Sequence, residues 1–172
     1  GAIAGMINYH QRGDVLKHSL GLLDAKVVIA EVDLVEPITE SGADTSGLLT
    51  VDEMQQLSAT APTNNPATTG AVLAKDKAFY IFTSGTTGMP KASVMTHYRW
   101  LRALGGFGGL GMRLNSNDTL YCCLPLYHNN ALTVALSSVL NSGATLALGK
   151  SFSASKFWDD VIRYEATAFI YI

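Results

Sequence analysis

Charge is scarce in this sequence. Asp, Glu, Lys and Arg make up 15% of its 172 residues, against about a quarter in an average soluble domain. The 12 basic and 14 acidic residues leave a net charge of −2, which removes the electrostatic case for a nucleic-acid partner. Cysteine is just as sparse: Cys122 and Cys123 are the only two, and they are adjacent. Neighbours on a strand point to opposite faces and seldom pair with each other. A disulfide framework is therefore excluded, two adjacent thiols cannot ligate zinc tetrahedrally, and buried thiols in a reducing compartment are expected. No apolar run approaches the ~18 residues of a membrane-spanning helix, and no secretory leader is visible.

What the sequence does have is concentrated in Thr83-Ser84-Gly85-Thr86-Thr87-Gly88-Met89-Pro90-Lys91, entered from the apolar run Ala78-Phe79-Tyr80-Ile81-Phe82. Gly85 and Gly88 permit backbone conformations that other residues avoid. Thr83, Ser84, Thr86 and Thr87 set hydroxyl donors beside backbone N–H groups, Pro90 stiffens the exit, and Lys91 adds a mobile cation. This chemistry suits the oxygens of a nucleoside triphosphate. It is not the Walker-type loop, which sets its lysine directly after the second glycine, whereas Lys91 lies three residues beyond Gly88. A Gly- and Thr-rich turn alone is more often a plain connection; the complete string is far more specific.

Apolar runs alternate with helix-like segments, which predicts an α/β fold with a mostly parallel sheet and flanking helices. Gly1 to Ile7 reads as a helix end and a buried strand, Arg12 to Leu23 as a helix, and Lys26 to Ala30 as a strand. Val32 to Thr50 carries turn formers and a short acidic stretch, Val51 to Leu57 a helical turn or two, and Ala59 to Gly70 the clear loop. Strands are expected at Ala92 to Thr96, Thr119 to Cys123, Thr145 to Leu148 and Ala168 to Ile172. Helices are expected at His97 to Leu104, Asn129 to Leu140 and, capped by Ser153, Ser153 to Tyr164. Gly105 to Gly111 reads either as a flexible connection or as a place of close backbone approach.

The nine-residue string resembles the phosphate-binding loop of the adenylate-forming superfamily, which includes acyl-CoA synthetases, luciferases and peptide-synthetase adenylation domains. Leu124-Pro125-Leu126-Tyr127-His128 resembles the motif that follows it. Met112-Arg113, Asn117-Asp118, Cys123 to His128 and especially Phe152-Ser153-Ala154-Ser155-Lys156-Phe157-Trp158-Asp159-Asp160 resemble the very-long-chain acyl-CoA synthetase and fatty acid transport protein branch. The similarity runs from Gly1 to Ile172 and is weakest between Ser41 and Ala74. It implies that residues 1–172 are an internal fragment of the large N-terminal AMP-binding domain. The family's Tyr-Gly-x-Thr-Glu motif, ribose-binding aspartate, hinge and C-terminal domain are then absent. Both termini read as artificial, the second because it cuts a strand pattern, and the fragment alone is expected to be inactive.

The resemblance also assigns roles. Thr83, Ser84, Gly85, Thr86, Thr87, Gly88 and Lys91 would hold ATP, with Lys91 also assisting catalysis and Thr83 near Mg²⁺. His128 would face the acyl carboxylate and the adenylate, at a strand end where parallel sheets place ligands. Without the motifs, Lys91 reads as a solvated surface lysine and His128 as a histidine satisfied by nearby backbone. His97 reads as a structural brace or cap, His10 and His18 as ordinary residues without a nameable partner, and Trp100 and Phe107 as core packing. The implied reaction joins a long or very long fatty acid to coenzyme A at the expense of ATP. The rival readings are another adenylate-forming ligase, such as an aryl-CoA ligase or peptide-synthetase adenylation domain, a transport or binding protein that retains fatty acid and nucleotide without turnover, and a pseudo-enzyme whose gene ends near Ile172. The expected location is cytoplasmic, with peripheral membrane association open.

Overall fold

The computed structural model of the protein describes residues 1–83 and 88–172. The chain divides into two compact units, residues 1–73 with 78–94, and residues 74–77 with 95–172.

In the first unit, β1 (Ala4–Met6) pairs in parallel with β4 (Lys77–Thr83), Ala4 standing opposite Phe79, and β4 lies between β1 and β5 (Lys91–Thr96). A separate parallel pair joins β2 (Val28–Ala30) to β3 (Leu48–Thr50). Helix α1 (Gly13–Leu23) sets Leu16 and Leu20 four residues apart, so both face one side. They form a core with Ala30 and Ile38. Two expectations fail here. β1 is a strand, but its Ala4 and Gly5 are exposed rather than buried. The 32–50 stretch is not all turn: Val32–Glu40 is a helix, α2, in spite of Pro37. A proline removes a hydrogen bond inside a helix, yet Leu34 and Ile38 still pack against the core. Burial there outweighs the local cost. Helix α3 (Val51–Ala59) opens on a capping box: Thr50 Oγ1 accepts from Glu53 N at 3.2 Å and Glu53 Oε2 accepts from Thr50 N at 2.7 Å. These backbone and hydroxyl hydrogen bonds hold the Glu53 carboxyl below its ordinary pKa.

The second unit is organised on β6 (Thr119–Cys122), which pairs in parallel with β7 (Thr145–Leu148) and β8 (Ala168–Ile170) on its two sides. Its residues alternate between two cores, as strand geometry requires. Leu120 and Cys122, both 0% exposed, pack with Ala131, Ala135 and Val139. Tyr121 and Cys123 pack the other way, with Phe157, Val161 and Ala166. The central strand is thus covered on both faces, the condition under which parallel sheets are stable. The adjacent cysteines point apart as expected.

Around β6 lie α4 (His97–Ala103), α5 (Leu136–Ser142) and α6 (Phe157–Arg163). Thr96, not His97, caps α4 by accepting from Arg99 N at 3.2 Å, while His97 N donates to Asp76 O at 3.0 Å. The glycine-rich stretch is helical: Leu104–Met112 continues from α4 as a wider, π-type helix. A Cβ at Gly108 would stand 2.8 Å from Asn141 Cβ and 3.0 Å from Ser138 Cα. Glycine is there for close approach. Gly108 takes the buried side of that helix and Phe107 is left 46% exposed, against the expectation of core packing. Helix α6 begins at Phe157 after Lys156 without a side-chain cap, so Ser153 contributes only its carbonyl, which accepts from Lys156 N and Phe157 N. Among the described residues no helix is long and apolar enough to cross a membrane.

The Tyr121 hydroxyl donates to Asp160 Oδ2 at 2.9 Å. Burial, then this hydrogen bond and the Asp160 charge, push the phenol up to about 12. A raised pKa means that the folded state holds the proton more tightly than the unfolded chain. The stabilisation is complete below the ordinary value of 10.0 and is lost as pH climbs towards about 12. Urea unfolding across that window is expected to show stability falling in the parent sequence and falling less steeply in Tyr121→Phe. Parallel curves would contradict this account.

Candidate functional site

The first cluster sits where β4 ends and β5 begins. Thr83 closes β4 and Lys91 opens β5. The proposed phosphate ligands Ser84, Gly85, Thr86 and Thr87 lie outside the described residues. Gly88 has φ +88°, a conformation that L side chains rarely adopt. Thr83 Oγ1 donates to Lys91 O at 3.5 Å, a long contact that ties the two strand ends. The Lys91 side chain is exposed. The structure therefore brings Thr83 and Lys91 together.

One residue of this cluster escaped the sequence reading. His18, half-buried on α1, sets Nε2 3.1 Å from the carbonyl oxygen of Pro90. The partners are 72 positions apart, and no local pattern announces such a pair. The one available signal is its place beside Leu16, Ser19 and Leu20, on the side of α1 that is buried.

His128 belongs to the second unit. β6 runs out through Cys123 and Pro125, and the chain turns there: His128 N donates to Pro125 O at 3.0 Å, and His128 O accepts from Leu132 N at 3.0 Å. The π-type helix Asn130–Ala135 follows. The backbone of His128 is fixed at both groups while its side chain is exposed. Its ring centre lies 4.5 Å from that of Tyr127, tilted by 55°. The exposed imidazole stands six residues past the end of β6, a central parallel strand. Trp100 donates its indole N–H to Leu132 O at 3.3 Å and is half-buried, in keeping with a packing role.

Burial pushes Cys122 and Cys123 above the ordinary thiol range, so little reactive thiolate forms at neutral pH. A cleft of about 900 Å³ in the first unit, lined by Leu16, Leu20, Val28, Ile38 and Tyr80 among others, contains none of the predicted site residues. Magnesium prefers several oxygen ligands, carboxylates among them. Thr83 is a single neutral hydroxyl, and no three His, Cys, Asp or Glu side chains gather as metal ligands among the described residues. These residues do not fit a resident magnesium ion.

Three comparisons place this geometry. Residues 1–172 match the family of AMP-binding enzymes. Medium/long-chain-fatty-acid–CoA ligase FadD6 of Mycobacterium tuberculosis is 70% identical over 176 residues, covering 100% of this chain and 30% of that protein. Long-chain fatty acid transport protein 1 of Rattus norvegicus is 34% identical, covering 100% of this chain and 29% of that protein. The inhibitor-bound N-terminal domain of FACL13 from Mycobacterium tuberculosis superposes with a TM-score of 0.84 at 26% identity, over 98% of this chain and 43% of that one. The chain thus spans about 30% of the length of the curated relatives it matches.

With both thiols raised, iodoacetamide at neutral pH is expected to leave Cys122 and Cys123 unmodified in the folded protein and to alkylate both in urea. Rapid labelling of the folded protein would return a thiol to the list of candidate nucleophiles.

Proposed function

This chain belongs to the AMP-binding enzyme family, and from that premise we propose that it is the phosphate-loop portion of a fatty acyl-CoA ligase. The observation that carries the proposal is 70% identity, over the whole chain, to a protein named a medium/long-chain-fatty-acid–CoA ligase. The fatty acid carboxylate attacks the α-phosphorus of ATP, forming the acyl-adenylate and releasing pyrophosphate. The thiolate of coenzyme A then attacks the acyl carbon, forms the thioester and releases AMP.

A carboxylate is already ionised at neutral pH. The first step therefore needs no general base; it needs alignment and neutralisation of charge. Lys91 supplies the cation for the triphosphate and its pyrophosphate leaving group. Gly88 allows close backbone approach, and Ser84, Thr86 and Thr87 bring hydroxyl donors by residue type. His128 presents an imidazole to the acyl carboxylate and orients it without transferring a proton. Magnesium arrives with the triphosphate, Thr83 offering it at most one neutral oxygen, and no step here depends on it. We place the reaction in the cytoplasm, with peripheral contact at a membrane as the route to a poorly soluble acid.

The second reading, a fatty acid transport or binding protein, draws on the 34% identity to long-chain fatty acid transport protein 1. A panel of fatty, aromatic and amino acids offered to the intact enzyme with ATP and coenzyme A separates the readings. AMP release with medium- or long-chain fatty acids is expected; release only with aromatic or amino acids moves the assignment to another adenylate-forming ligase. Lys91→Ala is expected to slow adenylation about 10²-fold, and His128→Ala about tenfold or more, with thermal midpoints unchanged. Unaltered ATP kinetics in Lys91→Ala would remove the loop from the mechanism, and unfolding of His128→Ala would reduce that residue to a structural part.

A further inference from the structure

We infer that His18 is a positioning residue for the phosphate loop, acting on Lys91 through the carbonyl of Pro90. The inference rests on the ligase reading above. His18 Nε2 lies 3.1 Å from Pro90 O. A carbonyl only accepts, so Nε2 carries the proton and donates it.

The consequence follows from peptide geometry. The Pro90 carbonyl and the Cα of Lys91 belong to one planar peptide unit. Holding the oxygen of Pro90 fixes the plane from which Lys91 departs. The next peptide unit has a longer, weaker contact, from Thr83 Oγ1 to Lys91 O at 3.5 Å. Lys91 is therefore gripped through the carbonyl before it and through its own carbonyl, while its side chain remains exposed.

The two grips differ in what stands behind them. Thr83 is exposed and sits at the edge of the loop itself. His18 stands on α1, whose Leu16, Ser19 and Leu20 are buried in the first unit. Proline has no N–H of its own, so the carbonyl is the only backbone hydrogen-bonding group Pro90 has to offer. His18 takes that group and refers the start of β5 to a packed helix. The backbone freedom that Gly88 introduces is thereby reduced before Lys91, where a cation must meet phosphate.

The test uses the intact ligase and the variants His18→Phe, which keeps a ring without a donor, and His18→Gln, which keeps a donor at similar reach. His18→Leu serves as a second variant without a donor. In His18→Phe the KM for ATP is expected to rise about three- to tenfold, the size of one lost hydrogen bond. The KM for the fatty acid and the thermal midpoint stay near the parent values, and His18→Gln recovers most of the loss. In a Lys91→Ala background the effect of His18→Phe should shrink towards nothing, because the cation it positions is gone.

An unchanged KM for ATP in both donor-less variants would overturn the inference. So would equal losses in His18→Phe and His18→Gln, or a loss that persists undiminished in Lys91→Ala. A parent enzyme that neither binds nor consumes ATP would overturn the ligase reading and this inference together. An active parent indifferent to His18 would overturn the inference alone.

Discussion

Strand β6 is buried on both faces and hydrogen-bonded on both edges, and the second unit is built from that constraint. With Leu120 and Cys122 at 0% exposure on one side and Tyr121 at 1% on the other, the strand is closed to solvent beyond its first residue, Thr119. The chain can release polar groups only where the strand ends. That is where the turn at Pro125 and the exposed ring of His128 stand. Gly149 belongs to the same constraint: a Cβ there would lie 2.8 Å from the Tyr121 hydroxyl that donates to Asp160.

The first unit carries a different constraint, at the start of β5. Glycine at 88 supplies the backbone freedom and Pro90 removes it again within two residues. Contacts to the Pro90 and Lys91 carbonyls then tie the exit to α1 and to the end of β4. The Lys91 backbone is thus tied on both sides while its side chain is exposed.

Much of this was legible in the residues. The alternation of apolar runs and helical segments gave the α/β class, and β4, β5, β6 and β7 lie where the runs lie. The opposed cysteines followed from the period of a strand. Three features were not legible, each because a tertiary contact overrode a local signal. Pro37 and its acidic neighbours argued for turns, yet Leu34 and Ile38 found a core to cover. Gly105 to Gly111 left a flexible connection and a close approach equally open, and only the packing of a wide helix at Gly108 against Ser138 and Asn141 decides for close approach. His18 carried no motif at all, because its partner stands 72 residues away. Within the candidate site, Thr83, Gly88, Lys91 and His128 were named from sequence; Thr83 closes β4, Lys91 opens β5 and His128 follows β6. Residues 84–87 lie outside the described residues.

The central claim is that this chain carries the triphosphate-handling part of an enzyme that activates fatty acids as adenylates. Fatty-acid-dependent exchange of pyrophosphate into ATP by the intact protein tests it most directly, since exchange requires reversible acyl-adenylate formation and needs no coenzyme A. The account predicts exchange that depends on a medium- or long-chain fatty acid. Tight binding of ATP and fatty acid without exchange would contradict it and leave a carrier in place of a ligase.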